Sequence, residues 1–130
     1  MKFEVQKADT ISRNGRIYPA HVLAKAIAAW QPEVVSRQAF VFVANGTNTD
    51  TKVNDLVGVV TAVSLNSGLL VAEVDRLNGP SSSEIWPLLE SGRMALRLTG
   101  IGNTTRREDG VRVVNDDYGI THLSATNNPA

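Results

Sequence analysis

Two residues near the carboxyl end of the chain have the types and spacing of a catalytic base and a nucleophile. His122 and Ser124 are two positions apart, so on a β-strand both side chains project from the same face. An imidazole can take the proton of a neighbouring hydroxyl and activate it for attack on a carbonyl. However, no acidic residue follows this pair and no glycine-rich turn adjoins it to stabilise an oxyanion. The pattern therefore favours a partly exposed polar face over a catalytic pair.

Three consecutive serines at residues 81–83 are a second source of hydroxyl groups. Ser81 is followed three positions later by Glu84, which is the spacing of a capping box at the start of a helix. We therefore expect Ser81 to cap a helix rather than to act as a nucleophile or a phosphorylation site. His21 is expected at the surface, on the first turn of another helix.

Basic residues gather around the turn signal Asp109-Gly110. Arg106, Arg107 and Arg112 could contact nucleic acid or an acidic patch on a partner. Acidic residues interleave with them, so a solvated turn of mixed charge is the favoured interpretation. These acidic residues are Glu108, Asp109, Asp116 and Asp117.

The composition argues against several kinds of site. The 130 residues include no cysteine and two histidines, which rules out thiol nucleophiles, disulfides and thiolate metal sites, and disfavours a histidine-rich site. Asp50 and Asp55 lack the spacing and the central glycine of a calcium loop. We expect neither a metal nor a cofactor.

The charge balance and hydropathy limit the partners. Thirteen basic and thirteen acidic residues give a net charge of zero, so the chain has no long-range field to attract nucleic acid or anionic lipid. No apolar stretch approaches the length of a membrane span, and the first residues do not resemble a signal peptide. We expect no membrane partner, no specific nucleic acid, and synthesis in a cytoplasm.

The elements that must position these side chains follow from periodicity. Alternation at residues 3–7 predicts a first strand, and β-forming residues at 38–44 predict a second. Between them, Pro19 suits the first turn of a helix, which Pro32 is expected to stop. The apolar face of this helix is formed by Val22, Leu23, Ala26, Ile27 and Trp30.

The second half of the chain is typical of hairpins. Residues 56–65 and 69–75 flank a turn at Asn66-Ser67-Gly68, where glycine supplies a positive φ angle. A second helix is expected after Ser81 and ends at Gly92, with Pro87 kinking it or delaying its start. Further strands are expected at residues 94–99, 111–114 and 118–125.

Six to eight strands, mostly linked by hairpins, and two helices favour an α+β domain with a curled, barrel-like antiparallel sheet. Residues 1–130 contain no repeat and no linker, so we expect one domain. Residues 45–54 have no periodicity and are expected to form an exposed loop. Trp30 and Trp86 are expected to pack in the core or at an interface.

One ordered run of eight residues that leads into the first helix is fairly specific. Residues 12–19, which read Ser-Arg-Asn-Gly-Arg-Ile-Tyr-Pro and run into the first helix, resemble the amino-terminal signature of the prohead proteases of tailed phages. The similarity covers nearly the whole chain and implies a fold like that of the herpesvirus assemblins. The other segments that follow the family's order are residues 55–60, 68–74, 88–92, 100–102 and 115–118.

The resemblance implies a serine protease that trims scaffold and capsid proteins inside the immature head, but its catalytic positions are changed. Arg97 and Leu98 stand where the family has its serine, and Thr99 does not inherit that role as their neighbour. Asn45 lies in the region of the family's histidine, and an amide cannot act as a base near neutral pH. The acidic residue expected near the last strand is also missing. The resemblance therefore implies a chain without the protease chemistry.

A domain that keeps a fold but loses its catalytic groups can be retained for what it binds. The main hypothesis is a non-enzymatic decoration or cement protein of the virion head, made in the host bacterium, which binds the major capsid protein as a homodimer or trimer. Two alternatives remain. One is an active protease with an atypical site at His122 and Ser124, and the other is an internal, scaffold-like protein expelled from mature heads.

The candidate contacts with the partner lie in two loops and one strand. The first strand could extend a neighbour's sheet by edge pairing. The loop residues are Asn45, Thr47, Asp50, Lys52, Arg106, Arg107 and Asp109.

Overall fold

The computed structural model describes residues 1–44 and 53–127, which form nine β-strands and two α-helices. The strands are β1 (Lys2–Lys7), β2 (Arg16–Ile17), β3 (Phe40–Val43), β4 (Leu56–Asn66), β5 (Leu69–Arg76), β6 (Ala95–Ile101), β7 (Thr104–Arg106), β8 (Arg112–Val114) and β9 (Gly119–Thr126). The helices are α1 (Ala20–Val35) and α2 (Ser82–Glu90), and a single 3-10 turn spans Val53–Asp55.

The strands form a large and a small sheet. The large sheet has the order β1-β5-β4-β3-β9-β6 and the small sheet has the order β2-β8-β7. Neighbours are antiparallel except β3 with β9 and β2 with β8. The predicted α+β class is confirmed, with two helices and a curled sheet, but both sheets are mixed. Parallel pairing joins strands that are distant in sequence, where local patterns carry no signal.

The large sheet curls into a half-barrel. Its two edge strands, β1 and β6, contact each other, and we call the cleft between them the seam. Shifts in register at β-bulges accompany this curl, among them one at Glu4–Gln6 in β1 and one at Thr99–Gly100 in β6. The curl therefore brings together residues from the two ends of the sheet.

The β4–β5 hairpin has the predicted turn. Ser67 and Gly68 have φ angles of 52° and 78°, the positive values that a two-residue turn between twisted strands requires. The backbone N–H of Ala8 donates to the carbonyl of Gly68 at 2.7 Å. This bond fixes the end of β1 against the turn.

The core includes the surface on which the two helices pack against the large sheet. Helix α1 packs on β4 and β9, and α2 packs on β4. Trp30 and Trp86 are each 3% exposed, and the rings of Phe3 and Trp86 stack with 6.0 Å between centroids. The predicted apolar face of α1 is confirmed, because all its members are buried: Val22, Leu23, Ala26, Ile27 and Trp30.

Pro32 does not stop the first helix, and that prediction is wrong. Helix α1 continues to Val35 with Pro32 inside it. Proline cannot donate a hydrogen bond back to the preceding turn, but its carbonyl accepts the backbone N–H of Ser36 at 3.0 Å. The last turn of α1 therefore forms although the one backbone hydrogen bond that Pro32 would donate is missing.

The predicted capping box at Ser81 is also wrong. Ser81 stands at the start of α2 but makes no side-chain capping bond. Its hydroxyl donates instead to the carbonyl of Asn54 at 2.8 Å, so a tertiary acceptor replaces the local one. Pro87 lies inside α2, and Gly92 follows the helix with a φ of 77°, as expected for a helix end.

Candidate functional site

The polar face identified in the sequence lies on β3, β9 and β6, on the side of the sheet turned away from the core. Phe42 of β3 is paired with Ser124 of β9, and Ser124 is also paired with Arg97 of β6. Thr99 is paired with His122 one step further along the same two strands. The strand register therefore brings together the hydroxyl and imidazole groups that could act in catalysis.

Thr99 and Ser124 are joined by a hydrogen bond across the two strands, with 2.6 Å between Oγ1 and Oγ. Ser124 is 4% exposed and Thr99 is half-buried. Each hydroxyl has one hydrogen, so one group donates and the other accepts. Neither alcohol can act as a base near neutral pH. The pair is therefore a buried structural bond unless a third group removes its proton.

His122 is the candidate for that third group, but its contacts lie elsewhere. Its ring packs edge-on against Phe42 with 5.4 Å between centroids, and its Nδ1 lies 3.3 Å from Thr121 Oγ1. The Thr121 hydroxyl donates its one hydrogen to the carbonyl of Thr99 at 2.8 Å. It can therefore only accept from His122, so Nδ1 of His122 carries the proton in this contact. Burial lowers the pKa of His122, which favours the neutral ring.

In this tautomer Nε2 of His122 carries the free lone pair. Within residues 1–44 and 53–127 no hydroxyl lies within hydrogen-bond distance of this nitrogen. A cavity of about 410 Å³ adjoins the ring and is lined by side chains that include Phe40 and Ile101. Such a space would accommodate an apolar side chain of a bound peptide beside the imidazole.

The resemblance assigns the catalytic serine to Arg97 and Leu98, and the surroundings of these two residues differ from each other. Leu98 is 8% exposed and belongs to the core, and its side chain carries no group that could act as a nucleophile. Arg97 is half-buried beside a second cavity. Asn45, in the region of the family's histidine, lies outside the described residues.

Of the predicted partner contacts, Arg106, Arg107 and Asp109 lie at the hairpin between β7 and β8. Arg107 Nη2 donates to Asp109 Oδ2 at 2.6 Å, and the backbone N–H of Val111 donates to Oδ1 at 3.1 Å. These bonds, above all that from Val111, lower the pKa of Asp109. Arg106 is exposed and forms no ion pair with any described residue. The hairpin thus presents Arg106 without a counter-charge among the described residues.

The other four predicted contacts, Asn45, Thr47, Asp50 and Lys52, lie outside the described residues. Across the described ranges, no group of three or more His, Cys, Asp or Glu residues is placed to hold a metal. The helices in those ranges are too short or too polar to cross a membrane. His21 is exposed, as expected, with Nε2 at 3.1 Å from Asp116 Oδ1.

The sequence reasoning missed a cavity of about 220 Å³ at the seam. Arg16, Arg97 and Tyr118 are among the residues that line it. Asn14, Arg16 and Tyr18 all line this cavity, and they alternate within residues 12–19. This alternation is the sequence signal for a shared face.

Comparison with known proteins identifies the fold. No protein-family model matches the chain, and no curated protein matches it. The solved structure of the capsid assembly protease of bacteriophage T4 is similar, with a TM-score of 0.84 over 96% of this chain and 79% of that chain. The sequences are 18% identical. The chain therefore has a prohead-protease-like fold, and the likeness extends to the fold alone.

Proposed function

We propose that this protein is a non-enzymatic component of a phage head, a decoration or cement protein that binds the major capsid protein. The arrangement of Thr99, Ser124 and His122 carries the proposal. The two hydroxyls are bonded to each other at 2.6 Å, and the imidazole contacts Thr121 and Phe42 instead.

The chemistry of peptide cleavage explains why this arrangement matters. A hydroxyl becomes a nucleophile when a base within hydrogen-bond reach accepts its proton, and a third group holds that base in orientation. Here Ser124 is bonded to another alcohol. The group that orients His122 is the threonine hydroxyl of Thr121, which cannot stabilise an imidazolium as a carboxylate does. Both features favour a structural role for these side chains.

The fold supports the proposal that this protein is located in the phage head and binds the capsid protein. The similar T4 protein acts, by its name, in capsid assembly, and a shared fold can keep a partner after losing a reaction. A net charge of zero does little to resist self-association. A closed dimer or trimer would suit the symmetric junctions of a shell.

The contact surface that we favour is the β7–β8 hairpin with its exposed Arg106. The adjacent pair Arg107 and Asp109 would shape this surface. Asn45, Thr47, Asp50 and Lys52 stay predicted contacts from the sequence. Strand β1 is a less favoured contact than the sequence suggested. It is an edge strand, but its free side faces β6 across the seam, which leaves little room for a neighbour's strand.

An atypical protease is the second candidate, and one observation favours it. The free lone pair of His122 Nε2 borders the 410 Å³ cavity, in which a peptide could lie, and Ser124 is two residues away. A rotation of the imidazole on peptide binding would bring base and hydroxyl together.

Co-sedimentation with shells of the major capsid protein separates the two candidates. We expect the wild-type chain to sediment with the shells and to leave the mass of the capsid protein unchanged. The Ser124→Ala/His122→Gln variant should behave identically. Arg106→Glu should weaken sedimentation, while Lys25→Glu, an exposed change on α1, should not.

Cleavage of capsid or scaffold protein by the wild type but not by the Ser124→Ala/His122→Gln variant would refute the non-enzymatic proposal. Intact-mass spectrometry of the capsid and scaffold proteins detects such cleavage directly. Circular dichroism of each variant establishes that it is folded.

A further inference from the structure

Three arginines occupy opposed positions on the three strands of the small sheet. Arg16 of β2 is paired with Arg112 of β8, and Arg112 is paired with Arg106 of β7. Directly opposed residues project from the same face, with Cβ atoms about 5 Å apart. We call these three residues the arginine row.

The arginine row lacks counter-charges. Within the described ranges, none of its members forms an ion pair. Opposed like charges destabilise a pair of strands, so an anion bound along the row would stabilise the small sheet. Three of the four acidic residues that interleave with the arginines in sequence have other partners in space: Asp109 contacts Arg107, Asp116 contacts His21, and Asp117 contacts Asn103. The fourth, Glu108, is exposed and forms no ion pair with the row among the described residues.

The row leads into the seam cavity. Arg16 lines this cavity of about 220 Å³ together with Arg97, and its described lining contains no acidic residue. The two arginines come from strands of different sheets. The cavity therefore extends the positive charge of the row into a partly enclosed space.

Tyr118 places a phenol in the wall of the same cavity. It is 9% exposed, and its buried hydroxyl lies near Tyr18 but makes no hydrogen bond of good geometry with a described residue. Burial raises the pKa of this phenol and the nearby Tyr18 raises it further, so the group remains an O–H donor. A buried polar group without a partner is unfavourable, and an anion in the cavity would satisfy it.

We propose that the arginine row and the seam cavity bind an extended acidic segment of a partner protein. One carboxylate enters the cavity between Arg16 and Arg97 and accepts from the Tyr118 hydroxyl. Further carboxylates on the same side of the segment meet Arg112 and Arg106. The planar guanidinium fork matches the two oxygens of a carboxylate. Adjacent strands lie about 4.8 Å apart, so the row spans about 10 Å, the length of about three extended residues.

A nucleic acid fits this surface less well. Proteins that bind single strands combine basic grooves with exposed aromatic rings on which bases stack. The aromatic rings of this cavity, Tyr18 and Tyr118, are 4% and 9% exposed and pack edge-to-face on each other. The net charge of zero also provides no attraction at long range.

This inference goes beyond the proposed function, because it concerns what one surface recognises whichever protein supplies the segment. Its test needs no capsid protein. If the protein is an active protease, it should still bind an acidic peptide at this surface. If it is a decoration protein that does not bind acidic peptides, the inference fails and the proposed function stands.

The test is fluorescence anisotropy with a labelled hexaglutamate peptide, with hexaglutamine and a short thymidine oligonucleotide as comparison probes. We expect hexaglutamate to bind, more weakly as salt is raised, and hexaglutamine not to bind. Arg97→Gln should weaken binding by about tenfold, because its charge-assisted bonds are partly shielded from water. The exposed Arg106→Gln should weaken it by roughly threefold. Arg76→Gln, an exposed arginine on the large sheet, is the matched control and should leave binding unchanged.

Tyr118→Phe separates binding from folding. Because the hydroxyl makes no hydrogen bond of good geometry with a described residue, its removal should leave the melting temperature unchanged or raised while it weakens hexaglutamate binding severalfold. Equal binding of the two peptides, tighter binding of the oligonucleotide than of hexaglutamate, or equal effects of Arg97→Gln and Arg76→Gln would each overturn the proposal.

Discussion

At the outer face of β9, the positions of a few protons determine which chemistry is available. Thr99 and Ser124 satisfy each other at 2.6 Å, and His122 contacts Thr121 through Nδ1. A proton relay would need the imidazole to accept from one of the two bonded hydroxyls. The residues of a catalytic pair can therefore be present without the connection that makes them reactive.

Replacement of His122 by Gln should remove a pH dependence of stability. Burial lowers the pKa of the folded His122, while an unfolded histidine titrates near about 6.5. Between these values the unfolded chain binds more protons, so the free energy of unfolding falls as the pH drops below about 6.5. The fall ends once the pH is below the folded pKa.

Urea unfolding of wild type and His122→Gln over a pH series measures this effect. The difference between the two free energies of unfolding should be constant above neutral pH. Below neutral pH, the free energy of unfolding of the wild type should fall more than that of His122→Gln. His21→Gln, at an exposed position, should retain the loss that is due to His122. Parallel curves for wild type and His122→Gln would contradict the neutral, buried imidazole.

Some of this residue-scale detail could be predicted from the sequence. Strand alternation places His122 and Ser124 on one face, and the structure agrees. The bond from Ser124 to Thr99 could not be predicted, because it depends on the register between β6 and β9, and a shift of one residue would reverse every side chain.

At the scale of elements, the pairing of β6 with β9 depends on a glycine. A Cβ added at Gly100 would lie 2.3 Å from the carbonyl oxygen of Gly119 and 2.6 Å from the hydroxyl of Tyr118. These distances are too short for any side chain, so the strands or the tyrosine would have to move. The close approach also holds Tyr118 in the seam cavity.

Gly100→Ala should therefore lower the free energy of unfolding by about 2 kcal/mol or more, the usual scale of overpacking. Gly119→Ala is the matched control on the partner strand, because a Cβ there meets nothing within 4 Å. It should change stability by less than about 1 kcal/mol. Urea unfolding compares the two variants, and equal losses would show that Gly100 is not specifically required.

Local elements were predictable where local physics decides them. The β4–β5 hairpin follows from Ser67 and Gly68, and the buried face of α1 follows from its spacing. Ser81 was mispredicted because a capping residue can bond to a distant carbonyl, here that of Asn54. Pro32 was mispredicted because a proline near the end of a helix removes one bond without ending it.

At the scale of the whole molecule, the curl of the large sheet creates a surface that a linear reading cannot show. The contact of β1 with β6 forms the seam, where Arg16 and Arg97 line one cavity. The interleaved acidic residues predicted a solvated turn of mixed charge around Asp109 and Gly110. The fold separates those charges in space, because the carboxylates bond to partners such as Arg107 and His21.

The proposed binding role rests on the shared fold and on the contacts of Thr99, Ser124 and His122. The likeness to the T4 protease covers 96% of the chain, and functions reside in sites rather than in folds. The three candidate roles in the head predict different copy numbers of the chain. A cement protein is abundant in mature heads, a protease is scarce, and a scaffold-like protein leaves before maturation.

The copy number of this chain in purified mature heads is the most direct test of the proposed function. Quantitative mass spectrometry would compare it with the major capsid protein in the same heads. We predict an intact chain at a fixed ratio that matches a set of symmetric positions on the shell. Trace or fragmented chain in mature heads, or abundance in immature heads alone, would contradict a role as a decoration protein.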